Sequence, residues 1–291
     1  MPEGRLVDPD LLRDWPLPDP GSDKEERGRL LVVGGSRDTP GAGLLAAEAA
    51  MRVGAGKVQL VTARSCAAAL AVAAPELMVT GVGEDADGNL DPGEAEQVRD
   101  CAGGTSAVLL GPGFMDPDVA DELVGEVVPG LEGTVVLDAL ASAYVTGDPE
   151  RVGRLGATVV LTVNPSELAA CLEVDEDEVE DDLASHATLL ARRTQAVVVC
   201  GGPVKFVAHE DDLWRVEAGN AGLGTAGSGD VQAGIVTGLL GRGAGATQAA
   251  VWGAYLHAAA GDALADRVGP VGFLARELPG ELPALLAALT A

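Results

Sequence analysis

Short apolar runs alternate with longer helical segments along most of this chain. The runs are rich in Val and Leu, and they cover residues 30–35, 57–62, 106–113, 134–138, 158–162 and 196–200. An Ala-rich segment closed by Gly54 and Gly56 separates the first two runs, which predicts a strand–helix–strand unit. From Gly229 onward the chain reads as mostly helical. This alternation predicts an α/β fold with a mostly parallel sheet covered by helices on both faces.

Two regions depart from this alternation. Residues 204–208 and 212–216 flank the acidic segment HEDD, and they predict an antiparallel hairpin at an edge of the sheet. Residues 1–28 are rich in Pro, Asp and Glu, and we expect them to form an N-terminal surface arm. The acidic run 173–182 is interpreted as an exposed loop and helix start. Because no boundary stands out within residues 29–291, we predict a single domain there.

The composition narrows the possible partners. The formal net charge is −26, and the chain has only three lysines, Lys24, Lys57 and Lys205. Nucleic acids and anionic membranes are therefore not expected partners. No CxxC pair occurs among the scattered cysteines Cys66, Cys101, Cys171 and Cys200, which argues against a zinc or redox site. With no signal-peptide pattern and no long apolar stretch, we expect a cytoplasmic protein without a membrane span.

The ends of the predicted strands are the first candidates for a ligand site. In open α/β sheets, ligands bind beyond the carboxyl ends of the strands. Glycines or polar residues follow the predicted strands at 34–36, 111–113, 138, 164–167 and 200–202. A glycine after one strand is usually explained by turn geometry alone. Five such ends on one rim predict a ligand site at that rim.

The strongest local signal is NAGLGTAGSGD, residues 220–230. Four glycines, a Thr and a Ser lead directly into an apolar helix, whose first amides are unpaired and attract phosphate. Asp230 falls in the first turn of that helix and faces the same place. In an alternative interpretation Ser228 or Asp230 merely caps the helix, but a cap does not require the preceding glycines. The segment therefore favours an anion site with Asp230 beside it.

Other catalytic patterns find little support in the sequence. His257 lies within a long apolar segment and is interpreted as a core histidine. No G-x-S-x-G elbow accompanies a Ser-His-Asp triad. The glycines at 34–35 do not form G-x-G-x-x-G, and no segment matches the P-loop pattern G-x-x-x-x-G-K-S/T with its Walker lysine. Rossmann and P-loop interpretations therefore fail.

Seven segments, taken in order, carry a family resemblance. They are GGSRDTPGAGLLAAEAAMRVGAGKVQLVT, PELMV, LLGPG, VVLDA, LTVNPSE, NAGLGTAGSGD and AYLHAAAGD. This order resembles the ADP/ATP-dependent NAD(P)H-hydrate dehydratases from about residue 30 to the C-terminus. The resemblance implies a ribokinase-like three-layer α/β/α sandwich with a mostly parallel central sheet, and a single catalytic domain over 29–291. It also implies magnesium, ADP or ATP as co-substrate, NAD(P)H hydrate as substrate, and a homo-oligomer.

The resemblance assigns roles residue by residue. Asp230 matches the catalytic base at the reacting hydroxyl, and the substrate would be bound by Ala42, Gly113, Asn164 and Asp230. Nucleotide binding is assigned to two groups, Cys200, Gly201, Gly202, Pro203 and Val204 in the first, and Asn220, Gly227, Ser228 and Gly229 in the second. Glu167 would hold magnesium through water.

The chain also departs from the family pattern inside the expected site. Val163 and Asn164 replace a Pro-His pair, Cys200 replaces a lysine, and Leu140 replaces a second Asp. Phe114 and Met115 are bulky where a small residue usually follows the GPG turn. The Asn-x-x-Glu arrangement at 164–167 is similar to that of sugar kinases, where it is linked to magnesium and phosphate. Three functions are therefore carried forward, namely the dehydratase, a small-molecule kinase of the same fold, and a weakened nucleotide-binding relative.

Overall fold

The computed structural model describes residues 4–202 and 204–290. Ten strands within these residues form one sheet, in the order β1-β10-β9-β8-β7-β6-β5-β2-β3-β4. The strands are β1 Arg5–Leu6, β2 Arg29–Val33, β3 Lys57–Ala63, β4 Met78–Val82, β5 Ala107–Leu110, β6 Thr134–Asp138, β7 Thr158–Val163, β8 Val197–Cys200, β9 Lys205–His209 and β10 Asp212–Val216.

Twelve α-helices connect or cover these strands in the described chain. They are α1 Pro9–Asp14, α2 Pro40–Arg52, α3 Arg64–Ala73, α4 Ala95–Ala102, α5 Pro117–Val127, α6 Glu150–Gly153, α7 Pro165–Leu172, α8 Glu176–Asp181, α9 Leu183–Thr194, α10 Ser228–Gly241, α11 Ala246–Arg267 and α12 Leu278–Thr290. Short 3₁₀ turns occupy Pro92–Glu94, Val128–Gly130, Ala139–Val145, Ala221–Leu223 and Ala275–Glu277. None of the described helices combines the length and apolarity needed to cross a bilayer.

The sheet is parallel except around β9. This strand runs antiparallel to both β8 and β10, and all other neighbouring strands run parallel. The predicted hairpin of residues 204–208 and 212–216 is therefore confirmed as β9 and β10. It does not form the edge itself, because β1 pairs with the outer side of β10.

The core lies on both faces of the sheet, as strand β2 illustrates. Its residues Leu30 and Val32 belong to one apolar cluster, whereas Leu31 and Val33 belong to a second cluster. All four side chains are fully buried. Because successive side chains of a strand point to opposite faces, both faces must be covered by helices. The predicted three-layer α/β/α sandwich is confirmed.

The N-terminal segment differs from the expected surface arm. Arg5 of β1 pairs with Trp214 of β10, and Leu12 of α1 is fully buried. Trp252 Nε1 of α11 donates a 2.9 Å hydrogen bond to the carbonyl of Trp15. The expected N-terminal surface arm is therefore anchored to the fold between residues 5 and 15, where Leu11 and Leu12 are buried while Arg5, Leu6 and Asp10 stay exposed. The Pro- and Asp-rich composition obscures a few apolar side chains that are sufficient to bury this segment against the fold.

Helices α2 and α10 contact each other through their backbones. A Cβ added at Gly234 of α10 would lie 2.1 Å from the carbonyl oxygen of Ala46. One added at Gly238 would lie 2.7 Å from the carbonyl oxygen of Ala50. Only glycine permits so close an approach, because any side chain would separate the helices. This contact fixes α10, the helix that begins with the candidate catalytic segment.

Candidate active site at the carboxyl edge of the sheet

A cavity of about 760 Å³ opens where β6, β7 and β8 end, beside the N-terminus of α10. We call it the Asp230 cavity. Its lining includes five ionisable side chains and one hydroxyl, those of Asp138, Glu167, Lys205, Asp230, His257 and Thr162. The cavity therefore lies at the rim where parallel strands present their carboxyl ends, as the sequence predicts.

The start of α10 has the geometry of an anion site. Gly227 is the N-cap residue with φ 89°, and no side chain caps the helix. The amide of Ser228 donates to the carbonyl of Thr225, whereas within the described residues the amides of Gly229 and Asp230 have no backbone acceptor. A Cβ added at Gly229 would meet no heavy atom within 4 Å, so a ligand can approach closely. The alternative that Ser228 or Asp230 merely caps the helix is wrong.

Ser228 is instead joined to the core by His257. Ser228 Oγ and His257 Nε2 share a 2.9 Å hydrogen bond across α10 and α11. His257 is 2% exposed, and its burial lowers the pKa of the imidazole well below its ordinary value, with the Lys205 cation adding to the effect. The interpretation of His257 as a core histidine is confirmed, and the ring also reaches the cavity wall.

The loop before α10 is held in place by Asp262 of α11. Its two carboxylate oxygens accept hydrogen bonds from the amide of Gly219 at 2.9 Å and from Asn220 Nδ2 at 3.0 Å. Asn220 Oδ1 accepts from the amide of Gly222 at 2.9 Å. The side chain of Asn220 therefore stabilises the loop, and the residue also lines the cavity. Asp262 ends the AYLHAAAGD segment of the sequence, which gives that segment a structural purpose.

Two carboxyl groups in the cavity are poorly solvated. Burial raises the pKa of Asp230 to about 6, and the nearby charge of Glu167 contributes. Burial also raises the pKa of Asp138 well above its ordinary value, and the charge of Asp230 adds to the effect. Thr162 Oγ1 donates a 2.7 Å hydrogen bond to Asp138 Oδ1. Asp230 can therefore accept a proton near neutral pH, whereas the Asp138 site favours the neutral acid.

Lys205 also lines this cavity, although sequence analysis assigned it no role. The residue is 7% exposed, and its Nζ donates a 2.9 Å hydrogen bond to Gln232 Oε1 of α10. Burial lowers the pKa of the ammonium group to about 8. Its position at the start of β9, directly after the turn that follows β8, was the available signal, because that turn belongs to the predicted rim.

Asn164 and Glu167 bind each other's backbone at the start of α7. Asn164 Oδ1 accepts from the amide of Glu167 at 2.8 Å, and Glu167 Oε2 accepts from the amide of Asn164 at 2.9 Å. This reciprocal pair is a capping box. Both residues line the Asp230 cavity, and burial raises the pKa of Glu167. The Asn-x-x-Glu arrangement therefore has a local structural cause.

The structure brings most of the predicted site residues together. The cavity is lined by Asn164, Glu167, Gly201, Gly202, Asn220, Gly227, Ser228, Gly229 and Asp230. Four other predicted residues are not among the lining: Ala42, Gly113, Cys200 and Val204. Cys200 is fully buried in β8, and burial raises the pKa of its thiol. Pro203 lies outside the described residues.

Ala42 and Gly113 meet elsewhere on the same rim, where the turns after β2 and β5 adjoin. We call this contact the Ala42–Gly113 junction. The amide of Gly35 donates to the Pro112 carbonyl at 2.7 Å, and Thr39 Oγ1 donates to the Gly113 carbonyl at 2.7 Å. A Cβ added at Gly113 would lie 2.9 Å from the Cβ of Ala42. The two predicted substrate residues are therefore close together, although they do not line the Asp230 cavity.

The two parts of the rim adjoin through Leu45 of α2. A Cβ added at Gly227 would lie 2.6 Å from Leu45 Cδ1. Because Ala42 lies in the first turn of α2, one turn before Leu45, this contact links the junction to the glycine loop of the cavity. A ligand longer than a single phosphate could therefore contact both parts.

Comparison with known proteins assigns the chain to a family. Residues 30–284 match the family model described as NAD(P)H-hydrate dehydratase. The chain belongs to this family. It is 44% identical to the ADP-dependent (S)-NAD(P)H-hydrate dehydratase of Xanthomonas campestris, over 98% of this chain and 97% of that protein. The chain spans about half, 49%, of the bifunctional NAD(P)H-hydrate repair enzyme of Moorella thermoacetica, to which it is 34% identical.

Solved structures agree with this family assignment. The ADP/ATP-dependent NAD(P)H-hydrate dehydratase from Bacillus subtilis, co-crystallized with ATP/Mg²⁺, superposes with a TM-score of 0.85 and 28% identity, over 99% of this chain and all of that chain. A ribokinase-like superfamily protein from Enterococcus faecalis has a TM-score of 0.82 at 21% identity, covering 99% of this chain and 97% of its own. At that identity the second likeness shows the fold alone. The family resemblance and the ribokinase-like fold inferred from the sequence are confirmed.

Proposed function

We propose that this protein dehydrates (S)-NAD(P)H hydrate and restores NAD(P)H, with ADP or ATP as the phosphoryl donor. One observation carries the proposal. The Asp230 carboxyl group lies beside backbone amides at the start of α10 that have no backbone acceptor among the described residues, inside a cavity large enough for a nucleotide. Membership of the dehydratase family supplies the substrate class. The relatives' names supply adenine nucleotide dependence, which agrees with an anion site at this helix terminus.

Asp230 is the general base of the proposed reaction. Hydroxide is a poor leaving group, so the hydroxyl of the hydrated ring must first be phosphorylated. Asp230 removes the hydroxyl proton as that oxygen attacks the terminal phosphoryl group, and the bond from phosphorus to the nucleotide's bridging oxygen breaks. The ring nitrogen lone pair then expels phosphate, and loss of a ring proton restores the dihydronicotinamide. A carboxylate with a pKa of about 6 is suited to this proton transfer near neutral pH.

The amides of α10 stabilise the charge that develops during transfer. The Gly229 and Asp230 amides have no backbone acceptor among the described residues, and Gly229 offers an unobstructed approach. Fixed amide dipoles at a helix N-terminus stabilise the oxygens of a transferring phosphoryl group without reorganisation. The Gly229 and Asp230 amides therefore hold the terminal phosphate, and Gly227 and Ser228 shape the turn beside it. Gly201, Gly202 and Asn220 border the space for the rest of the nucleotide.

Magnesium fits the cavity as an ion held mainly by nucleotide phosphates. No cluster of three or more His, Cys, Asp or Glu side chains in the described chain could hold a metal by itself. Glu167 lines the cavity and uses one carboxylate oxygen on the Asn164 amide, so the other oxygen is available to a hydrated ion. Magnesium typically retains several waters and binds through few carboxylates together with substrate phosphates. Bound there, it would offset the charge of the polyphosphate.

The remaining predictions extend this proposal. Ala42 and Gly113 would contact the hydrated nicotinamide, and the Leu45 contact next to Gly227 supports a continuous path from that ring to the phosphate site. Residues 29–291 would act as one catalytic domain. Assembly into a homo-oligomer stays a prediction. The kinase alternative depended on the Asn164–Glu167 pattern, and the capping box explains that pattern without phosphate chemistry.

The test is direct. The protein is incubated with NADH hydrate and either ADP or ATP, and the absorbance of the reduced ring is followed. Recovery of absorbance with release of inorganic phosphate is expected, and Asp230→Asn should slow it by about 100-fold or more. A stable phosphate ester with no recovery would identify a kinase instead. Calorimetry with and without EDTA tests the metal, because nucleotide affinity equal in both would contradict the role of magnesium.

A further inference from the structure

The charges in the Asp230 cavity are strongly unbalanced. Three carboxyl groups line it, those of Asp138, Glu167 and Asp230, and Lys205 is the one lysine or arginine among the described lining residues. A nucleotide diphosphate or triphosphate would add several negative charges to this space. Such a ligand is repelled by the carboxylates unless a cation of the protein or a metal ion offsets its charge.

Burial of the Lys205 ammonium group without an anionic partner costs folding free energy, which a bound anion would offset. The side chain is 7% exposed, and lysine is rarely buried without an ionic partner. Its one hydrogen bond within the described residues goes to the neutral Gln232, and no carboxylate there forms a salt bridge with it. An ammonium group has three donors, so two stay available.

We propose that Lys205 binds the polyphosphate of the nucleotide and supplies the positive charge of this site. Gln232 holds the ammonium group toward the cavity from α10, the same helix whose first amides receive the terminal phosphoryl group. Position 200 on β8 is an apolar, buried thiol in this chain, so it supplies no charge. Lys205 approaches the same space from the neighbouring antiparallel strand β9. This inference rests on the proposed function, because it requires a nucleotide in the cavity.

The titration of Lys205 gives this role a distinctive signature. Burial lowers the pKa of the free protein's ammonium group to about 8. The ionisable groups around it are Cys200 in β8, His257 in α11, and the cavity carboxyls of Asp138, Glu167 and Asp230. Bound phosphate favours the charged lysine, so nucleotide binding is accompanied by proton uptake. A lysine with a purely structural role would show no such coupling.

The experiment compares wild type with Lys205→Met by calorimetric titration with ADP and magnesium. Lys57→Met is the matched control, because Lys57 is a solvent-exposed lysine paired with Glu25 and lies outside the cavity lining. Thermal unfolding checks that each variant is folded. Loss of a charge-assisted hydrogen bond should weaken ADP binding by roughly tenfold or more in Lys205→Met, with no change in Lys57→Met. Proton uptake, measured near pH 8 in buffers of different ionisation enthalpy, should be lost with Lys205 alone.

The wild type provides an independent readout if Lys205→Met does not fold. Its affinity for ADP should fall by about tenfold from roughly pH 7 to pH 9, as free Lys205 loses its proton. A folded Lys205→Met with wild-type affinity, or wild-type affinity that is constant over this pH range, overturns the inference. Absence of any ADP or ATP binding by the wild type would instead contradict the proposed function itself.

Discussion

The Asp230 cavity and the Ala42–Gly113 junction lie on one rim, yet they are built in opposite ways. The cavity encloses about 760 Å³ and collects buried ionisable groups whose pKa values are shifted. The junction is closed by backbone contacts, such as the 2.7 Å hydrogen bond from the Gly35 amide to the Pro112 carbonyl. The first region is specified by its ionisable side chains, and the second by close backbone packing around Gly113 that leaves no room for a larger residue. Substitutions should therefore affect them through different measurable quantities.

The largest effect is expected from Asp230→Asn in the cavity. The rate of dehydration should drop by about 100-fold or more, the usual scale for a lost general base. Nucleotide binding should persist, and thermal stability at neutral pH should rise because a poorly solvated carboxylate is removed. Asp266→Asn, on the exposed end of α11, serves as the control for a lost surface carboxylate. Near-normal turnover in Asp230→Asn would remove the catalytic assignment.

The pH profile tests the same region without a mutation. The folded-state pKa of Asp230 is about 6, above the ordinary Asp value of about 3.9. The carboxylate base is therefore lost to protonation as pH falls through about 6. We expect kcat/KM to drop by about tenfold between roughly pH 7 and pH 5. The free energy of unfolding changes with pH in the opposite direction to kcat/KM. The raised pKa means that the folded state holds this proton more tightly, so the contribution of Asp230 to stability is lost as pH rises from about 4 to about 6. An acidic limb that persists in Asp230→Asn would point to another group.

Gly113→Ala tests the junction. Gly113 has φ 74°, and a Cβ there would lie 2.7 Å from the Thr39 carbonyl oxygen. We expect kcat/KM for the hydrate to fall by roughly fivefold through displaced backbone, with nucleotide affinity unchanged. Gly147→Ala is the matched control, because Gly147 has φ 80° but open space around its Cβ position. Both variants should lose about 1–2 kcal/mol of stability from left-handed strain, so a kinetic defect shared by both would refute a specific role for the junction.

Asn164→Ala is expected to have the smallest effect. Loss of the N-cap of α7 should cost about 1 kcal/mol of unfolding free energy. The freed Glu167 should raise the KM for the magnesium nucleotide by about twofold, because it is no longer held by the capping box. Asp116→Ala removes a comparable cap, which accepts from the amides of Asp118 and Val119 at the start of α5, outside the cavity lining. Equal kinetics in the two variants would show that Asn164 serves only the helix.

The sequence was informative wherever the local pattern determines the structure. The apolar runs in the sequence correctly predicted strands β2, β3 and β5–β8, because central parallel strands are apolar on both faces. Strand β4, Met78–Val82, was missed because it lies at the sheet edge, where Met78 is 59% exposed and Gly81 interrupts the apolar pattern. Strand β1 has two residues, too few for any periodicity.

The site divides in the same way. Asp230 and the glycines before it form a contiguous segment, so an anion site beside a carboxylate could be predicted from the sequence of that segment alone. Asp138, Thr162 and Lys205 come from three strands and His257 from α11, so only the complete fold brings them to one cavity. Asn164 illustrates the converse case, because its family position suggested a ligand contact while its side chain binds the adjacent helix backbone.

Because of the glycine contact between α2 and α10, we expect inactivating mutations in the gene at codons outside the active site as well. Gly234 and Gly238 are not among the cavity-lining residues, yet every missense change at either codon brings at least a Cβ against the backbone of α2. Such an insertion would tilt α10 and carry Asp230 away from its place. We therefore expect a saturation screen to recover null alleles at these two codons as readily as at Asp230. Revertants should arise in the facing helix, although Ala46 and Ala50 can become smaller only by changing to glycine.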